Sequence, residues 1–162
     1  MNLITLLKND HRQVEKLFEK IMKPRSSFDK QKEMFTTLKE LLNLHSKTEE
    51  KFLYPQMEKT RDGHDLTLEA YEEHHMVKIL LQEIPLVREK DVWEAKVLVL
   101  QEQVKHHVQE EELKLFPLVE QRFSKEDLNQ LAKDIEEWRE NSPQEHYPGL
   151  MSRIVQQLGF SK

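Results

Sequence analysis

The sequence predicts an all-α protein, an up-down-up-down antiparallel four-helix bundle with an additional C-terminal helix. Charged residues make up 34% and hydrophobic residues 37% of the 162-residue chain, which contains only three glycines. This composition is typical of long amphipathic helices. Apolar residues recur at steps of three and four along most of the chain, which is the helical period. The predicted connections at 24–28, 61–65 and 89–90 are too short for crossovers, so consecutive helices run antiparallel.

The first two predicted helices span about 2–23 and 29–60. Pro24 ends the first helix because proline lacks the N–H that a helix needs, and a serine or Asp29 caps the second. Pro55 predicts a kink or a distorted last turn near the end of the second helix. Their apolar stripes contain Leu3, Leu7, Val14, Leu17, Phe18 and Ile21, then Phe35, Leu38, Leu42, His45, Glu49 and Phe52.

The third and fourth predicted helices span about 66–88 and 91–122, after a turn marked by Asp62 and Gly63. Pro85 and Pro117 predict local distortion near their ends. Their stripes contain Leu68, Tyr71, His74, Val77, Leu81 and Ile84, then Val97, Leu100, Val104, His107, Glu111, Leu115 and Leu118.

A fifth helix is predicted from Ser124, which is followed by acids as at many helix starts, to about Glu140. The residues expected to face the bundle are Leu128, Leu131, Ile135 and Trp138. Residues 141–149 are predicted to form a loop and 150–158 a short last helix. The sequence thus divides into a four-helix bundle, 1–123, and a C-terminal helix and tail, 124–162, packed on it.

Composition excludes several classes of protein. The formal net charge of -5 argues against nucleic acid or an anionic membrane as the main partner. The absence of cysteine excludes disulfides and thiolate sites. The apolar patch from Leu3 to Leu7 is too short for a signal peptide, and no stretch approaches the roughly 18 apolar residues of a membrane helix. We therefore expect a soluble cytoplasmic protein.

One stretch of the sequence occurs twice. Residues 45–55 and 107–117 both read His-x-x-x-Glu-Glu-x-x-Leu-aromatic-Pro. Positions i and i+4 lie on the same face of a helix, so each copy offers one imidazole beside one carboxylate. Residues 11–21 also align without gaps on 74–84, and each segment begins with a histidine preceded by an acid. Two helical hairpins of the same design therefore follow one another, related by a pseudo-twofold axis.

The apolar stripes carry six side chains that commonly bind metals: His11, His45, Glu49, His74, His107 and Glu111. An isolated buried carboxylate is costly unless something compensates it, and the stripes contain no lysine or arginine to do so. Two metal ions bridged by Glu49 and Glu111, each with two imidazoles, would satisfy the whole set. A hydrogen-bonded core histidine is the alternative at any single position, but the repeat in register favours a two-metal site.

Other residues of the same types receive other assignments. We expect His75 and His106 on the surface or behind the ligands. Two more histidines are expected to be solvated, His64 in a turn and His146 in a loop. Three acids lie off the stripes and are expected to support the ligands or to be exposed: Glu50, Glu110 and Glu112. Methionine and aromatic residues are interpreted as packing.

This arrangement resembles the hemerythrin-like (HHE cation-binding) family. The resemblance covers about residues 3–122. It rests on Asp10-His11, His45-x-x-x-Glu49-Glu50 with Tyr54-Pro55, Glu73-His74, and His107-x-x-x-Glu111-Glu112 with Phe116-Pro117. It implies a non-heme di-iron centre with bridging carboxylates and an oxo or hydroxo bridge, held by the six residues named above.

The chain departs from the oxygen-carrying hemerythrins at two positions. Those proteins have a fifth histidine four residues beyond the one on the third helix, where this chain has Lys78. Their second acid is an aspartate five residues after its histidine, whereas Glu111 follows His107 by four. Both irons would then have open positions, unless Glu15 or a water fills one. Two open positions favour redox turnover or small-ligand sensing over oxygen storage.

The resemblance implies a protein that binds, senses or reacts with oxygen, nitric oxide or peroxide, in sensing or stress defence. The sequence shows no nucleophile–base set, phosphate loop or basic stripe, and it leaves open whether the protein is an enzyme. The alternative is a non-catalytic helical interaction module whose metal is structural or regulatory. A protein partner would then bind through 124–162, where Trp138, Tyr147 and Phe160 either contact the partner or cover the bundle.

Overall fold

The computed structural model describes residues 1–141 and 147–159, and these residues form helices and no strand. The helices are α1 (Leu3–Ile21), α2 (Phe28–Thr48), α3 (Tyr54–Met57), α4 (His64–Glu83), α5 (Lys90–Glu110), α6 (Phe116–Arg122), α7 (Lys125–Asn141) and α8 (Leu150–Leu158). The predicted all-α bundle with an additional C-terminal helix is confirmed. The expectations for His146 and Phe160 lie outside the described residues.

Side chains cap three of the helix starts. Asn2 Oδ1 accepts a hydrogen bond from the Thr5 N–H at 2.9 Å at the start of α1. Ser27, one of the predicted candidates, accepts from the Lys30 N–H at 3.3 Å before α2. Ser124 and Asp127 exchange side-chain and backbone hydrogen bonds of 3.1 and 3.2 Å before α7, which is a capping box.

Two helical hairpins make the bundle. α1 packs along α2 in the first hairpin and α4 packs along α5 in the second, with α2 also contacting α4. α7 lies against α1, and α8 lies against both α1 and α2. Trp138 and Tyr147 are half-buried and pack against the apolar core.

A layer of polar side chains divides the core into two apolar clusters. In α1, Leu3 and Leu7 belong to one cluster, Val14 and Ile21 to the other, and His11 lies between them. The larger cluster contains the buried Trp93, whose ring meets those of Phe28 and Phe35 edge-on at centroid distances of 5.4 and 5.5 Å. The polar layer is therefore enclosed by hydrocarbon from both ends of the bundle.

The long second and fourth helices are each interrupted by a π-helical turn. Glu49–Leu53 joins α2 to α3, and Glu111–Leu115 joins α5 to α6. In each turn the backbone N–H five residues on, that of Tyr54 or Phe116, donates to the glutamate carbonyl. The distortion expected near Pro55 and Pro117 thus takes the form of a widened turn just before each proline.

The π turns shift the buried face by one residue. A π turn holds one more residue than the corresponding α-helical turn, so a stripe counted in steps of three and four falls out of phase beyond it. Phe52 and Leu118, which were predicted to continue the stripes, are only half-buried. The fully buried positions are Leu53, Tyr54 and Met57 in the first copy and Leu115, Phe116 and Val119 in the second.

Two smaller expectations are corrected in α4, and the distortion predicted at Pro85 is present. Leu68 is 43% exposed rather than buried, because Thr67 and Ala70 continue the face that carries His74. His64 is the first residue of α4 and not part of the preceding turn, although it is exposed as expected. The distortion at Pro85 is a 3-10 turn, Ile84–Leu86, that ends the helix.

Within the described ranges, each helix is either too short or too polar to cross a bilayer. The cytoplasmic location stays a prediction from the sequence.

Candidate metal centre

The six predicted ligand side chains meet in the polar layer of the bundle. They form two groups of four donors whose ligand atoms lie within 4.8 Å of one another. We call these site 1 (His11, His45, Glu49 and Glu111) and site 2 (Glu49, His74, His107 and Glu111). Both glutamates belong to both sites, and all six residues are only 0–6% exposed. The predicted convergence of the two repeats is present.

The imidazoles face each other in pairs through their Nε2 atoms. The Nε2–Nε2 distance is 3.1 Å between His11 and His45 and 3.0 Å between His74 and His107. Two imidazole lone pairs approach this closely only when a proton or a metal ion lies between or beside them. Each pair therefore presents two nitrogen donors to a common point.

The two glutamates connect the sites. Glu49 Oε1 lies 3.1 Å from His45 Nε2 of site 1, while Glu49 Oε2 lies 3.2 Å from His74 Nε2 of site 2. Glu111 Oε2 lies 3.4 Å from His11 Nε2 and 3.5 Å from His107 Nε2, between the two sites. Glu49 Oε1 and Glu111 Oε2 are buried without a hydrogen-bond partner. Buried carboxylate oxygens without partners are costly, so these residues fit a pair of bridged metal ions.

A further carboxylate contacts the Nδ1 atom of each imidazole, on the side of the ring opposite the metal-facing Nε2. The four Nδ1 contacts are Glu112–His11 at 2.8 Å, Asp10–His45 at 3.1 Å, Glu50–His74 at 2.8 Å and Glu73–His107 at 3.2 Å. A carboxylate on Nδ1 keeps the proton there and leaves the Nε2 lone pair for a metal. Every histidine of the two sites is thus fixed in the tautomer that a metal ligand needs.

These carboxylates follow the internal symmetry of the chain. Asp10 and Glu73 support the histidine of the neighbouring helix in their own hairpin, whereas Glu50 and Glu112 reach across to the other hairpin. The supporting role left open for Glu50 and Glu112 is the one the structure shows. The roles of Asp10 and Glu73 were missed, although the acid before each histidine of the repeat was a visible signal.

Tyr54 is not only a packing residue, contrary to the sequence interpretation. Its buried hydroxyl donates to Glu111 Oε1 at 2.7 Å and lies 3.2 Å from Glu49 Oε2 and 3.1 Å from His74 Nε2. Burial and the two carboxylates raise the pKa of Tyr54, so the phenol stays a donor. The matching residue of the second repeat, Phe116, stacks on His11 with a centroid distance of 5.8 Å. The two sites are therefore not identical.

In the metal-free centre, the neighbouring carboxylates favour the protonated forms of His45 and His107. Burial lowers the pKa of His45, but Glu49 and Asp10 outweigh it and raise the pKa to about 10. Burial likewise opposes charge on His107, yet Glu111 and Glu49 raise its pKa well above the ordinary value. The Glu49 carboxyl has its pKa lowered, because the neighbouring histidines outweigh the effect of burial. A metal ion that binds here must displace protons from imidazoles.

Comparison with known proteins agrees with this geometry. The sequence model of the hemerythrin HHE cation-binding domain matches residues 2–119. The chain belongs to this family. A DNA nickase from Nostoc sp. (strain PCC 7120 / SAG 25.82 / UTEX 2576) is 30% identical over 162 residues, which cover 98% of this chain and 42% of that protein. The chain thus spans less than half of that relative's length. No solved structure matches the chain significantly.

In this hemerythrin HHE chain, Glu15 and Lys78 were the residues considered in connection with the missing fifth histidine, and neither contacts the ligand atoms. Glu15 pairs with Arg12 at 3.0 Å on the surface. Lys78 is exposed. Each borders an open cleft beside the centre, Glu15 near His11 in one of about 220 Å³ and Lys78 near His74 in one of about 200 Å³.

A small apolar cavity adjoins the imidazoles inside the bundle. Its volume is about 20 Å³, and its walls are the four histidines together with Val14, Leu42, Ser46, Val77, Val104 and Val108. A cavity needs roughly 10–15 Å³ of this kind of volume to hold one water. This one therefore accommodates a molecule of about that size next to the metal-facing nitrogens.

Proposed function

We propose that this protein is a non-heme di-iron protein that binds, senses or reacts with a small ligand such as oxygen, nitric oxide or peroxide. The observation that carries the proposal is the pair of four-donor sites that share Glu49 and Glu111. Imidazole nitrogen together with carboxylate oxygen suits iron. One iron ion would occupy each site, with an oxo or hydroxo bridge between them. Bound iron would supply redox chemistry and open coordination positions.

The residues of the chain support this function in three ways. Carboxylates on Nδ1 orient all four histidines before any metal arrives, and such support raises metal affinity. The Tyr54 hydroxyl places a hydrogen-bond donor at the edge of the centre, on Glu111. The cavity of about 20 Å³ provides room beside the metal-facing nitrogens for a molecule about the size of one water. Together these features favour a small ligand.

Elemental mass spectrometry of the purified protein tests the metal. We expect two irons per chain in the wild type. Glu49→Ala and Glu111→Ala should lose iron and melt at lower temperature, because metal binding is coupled to folding. Glu110→Ala is the matched control, since Glu110 pairs with Lys114 on the surface and faces no ligand. Full iron loading in Glu49→Ala would contradict the ligand assignment.

Exposure of the ferrous-loaded protein to oxygen, nitric oxide or peroxide, followed by absorption spectroscopy, tests the ligand. A new band that appears in the wild type and is absent from Glu49→Ala supports the proposal. If iron does not bind even after anaerobic ferrous loading, the alternative of a helical interaction module is the better interpretation. The packing of Leu128, Ala132 and Ile135 into the core supports a covering role for α7.

The name of the Nostoc relative raises DNA nicking as a second candidate. The donors of both sites are 0–6% exposed, and the phosphodiester of a DNA duplex is too large to reach them. We therefore propose that DNA is not the substrate of this centre. Incubation of supercoiled plasmid with the iron- or manganese-loaded protein checks this, and nicking that disappears in Glu49→Ala would refute it.

A further inference from the structure

The carboxylates behind site 1 are both paired with arginine. The Arg139 guanidinium donates to Asp10 through two nitrogens, at 2.7 Å to Oδ2 and 3.3 Å to Oδ1. The same Asp10 Oδ2 accepts from His45 Nδ1 at 3.1 Å. Arg12 forms the corresponding ion pair with Glu112, which holds His11. In site 1, the Nδ1 atom of each histidine thus contacts a carboxylate that also forms an ion pair with an arginine.

The carboxylates behind site 2 differ in this respect. Glu50 and Glu73 hold His74 and His107. In the part of the chain that the structure describes, no lysine or arginine nitrogen forms an ion pair with either carboxylate. The nearest additional group is His106, 3.6 Å from Glu73 and largely exposed. The pseudo-twofold symmetry that relates the ligands is therefore broken in the layer behind them.

Of the two arginine–carboxylate ion pairs, that of Arg139 with Asp10 is less screened by water than that of Arg12 with Glu112. The side chain of Arg139 is 18% exposed and that of Asp10 is 8% exposed, whereas Arg12 is 48% exposed and screened by water. Arg139 also donates to Thr48 Oγ1 at 2.9 Å, next to Glu49 in sequence. Arg139 lies on α7, beyond the residues 2–119 that match the family. The additional helix thus contributes a contact to the centre that the four-helix bundle lacks.

A cation on the carboxylate changes what the imidazole offers to a metal. An unpaired carboxylate draws the Nδ1 proton towards itself and makes Nε2 a stronger electron donor. An arginine on that carboxylate weakens this pull, and its positive charge opposes further positive charge nearby. Site 2 is therefore the better position for a ferric ion, and site 1 is the better position for a ferrous ion.

We propose that Arg139, with a weaker contribution from Arg12, makes the two metal positions unequal, so that the ion in site 1 is reduced before the ion in site 2. This inference rests on the proposed di-iron function. Each of the two steps takes one electron from an external one-electron donor and converts one ferric ion to ferrous. Arg139 is a positioning residue, because it acts through Asp10 and His45 and does not contact the metal position.

The test is a reductive titration of the whole 162-residue chain loaded with ⁵⁷Fe, with dithionite as the electron donor. Mössbauer spectroscopy counts the ferrous and ferric ions at each point, and electron paramagnetic resonance measures the mixed-valent form. We expect the wild type to pass through a mixed-valent state. Arg139→Met should lower the potential of the first step and reduce the equilibrium constant for forming the mixed-valent state by about tenfold or more, the size expected for a charged hydrogen bond. Arg139→Lys should restore most of it.

Two further variants separate this effect from a general loss of structure. Arg122→Met is the matched control, because Arg122 pairs with Asp62 at 3.1 Å and touches no ligand; it should titrate like the wild type. Glu73→Gln leaves α7 in place and weakens the acceptor behind His107, so it should raise the potential of the second step. Arg139→Met and Glu73→Gln should therefore both reduce the difference between the two reduction potentials, the first by lowering the higher potential and the second by raising the lower one.

The experiment separates failure of this inference from failure of the proposed di-iron function. A wild-type protein with two irons whose two reductions coincide overturns this inference and leaves the di-iron function intact. An Arg139→Met protein that titrates like Arg122→Met also overturns it. A protein without two irons per chain overturns both proposals.

Discussion

Tyr54→Phe removes one oxygen atom from the centre of the bundle. The hydroxyl donates to the Glu111 carboxylate at 2.7 Å and is fully buried, so no water takes its place. A hydrogen bond to a charged group contributes about 1.5–3 kcal/mol. For a chain of this size, that loss corresponds to a fall in melting temperature of roughly 3–12 °C. We expect the free energy of unfolding of the metal-free protein to fall by about 1.5–3 kcal/mol, the contribution of one hydrogen bond to a charged group.

The ring itself should be accommodated without strain, because the second repeat already has Phe116 at the matching position. The assay is chemical denaturation of the metal-free protein, followed by circular dichroism. Tyr71→Phe is the matched control. Tyr71 packs against Tyr54 with a centroid distance of 5.0 Å, but its hydroxyl has no hydrogen-bond partner among the described residues. If Tyr54→Phe costs no more than Tyr71→Phe, the hydroxyl does not stabilise the carboxylates and the reasoning is wrong.

Two other predictions concern the whole fold. In the metal-free protein the raised pKa of His45, about 10 against an ordinary 6.5, contributes stability that is present below pH 6.5 and is lost as the pH rises to about 10. Urea midpoints at several pH values measure this, and a midpoint that rises over that range would contradict it. Deletion of 124–162 uncovers the apolar face of α1 beneath α7, so the truncated chain should fail to fold. A truncated protein that folds and holds two irons would instead support a docking role for this segment.

The convergence of the six candidate ligand side chains could be predicted because their signal is local and repeated. A histidine and a glutamate four residues apart on an apolar stripe identify a candidate in one helix, and the second copy identifies its partner. The resulting fold needs only short connections between amphipathic helices, which are visible in the sequence.

The parts that the sequence did not predict depend on phase or on long-range contact. A π turn adds one residue to the helical count, so the burial of Tyr54 in place of Phe52 is visible only once the turn is known. The contact of Arg139 with Asp10 joins residues 129 positions apart. Periodicity within one helix carries no information about such a pair, and the absence of cations from the apolar stripes gave no indication of an arginine on a fifth helix.

Each site draws three of its four donors from one hairpin and the fourth from the other. A metal ion in either site would therefore take ligands from both hairpins and would hold the two hairpins together. Exchange of one hairpin between two copies of the chain would rebuild both sites, so the centre itself offers no barrier against such a swapped dimer.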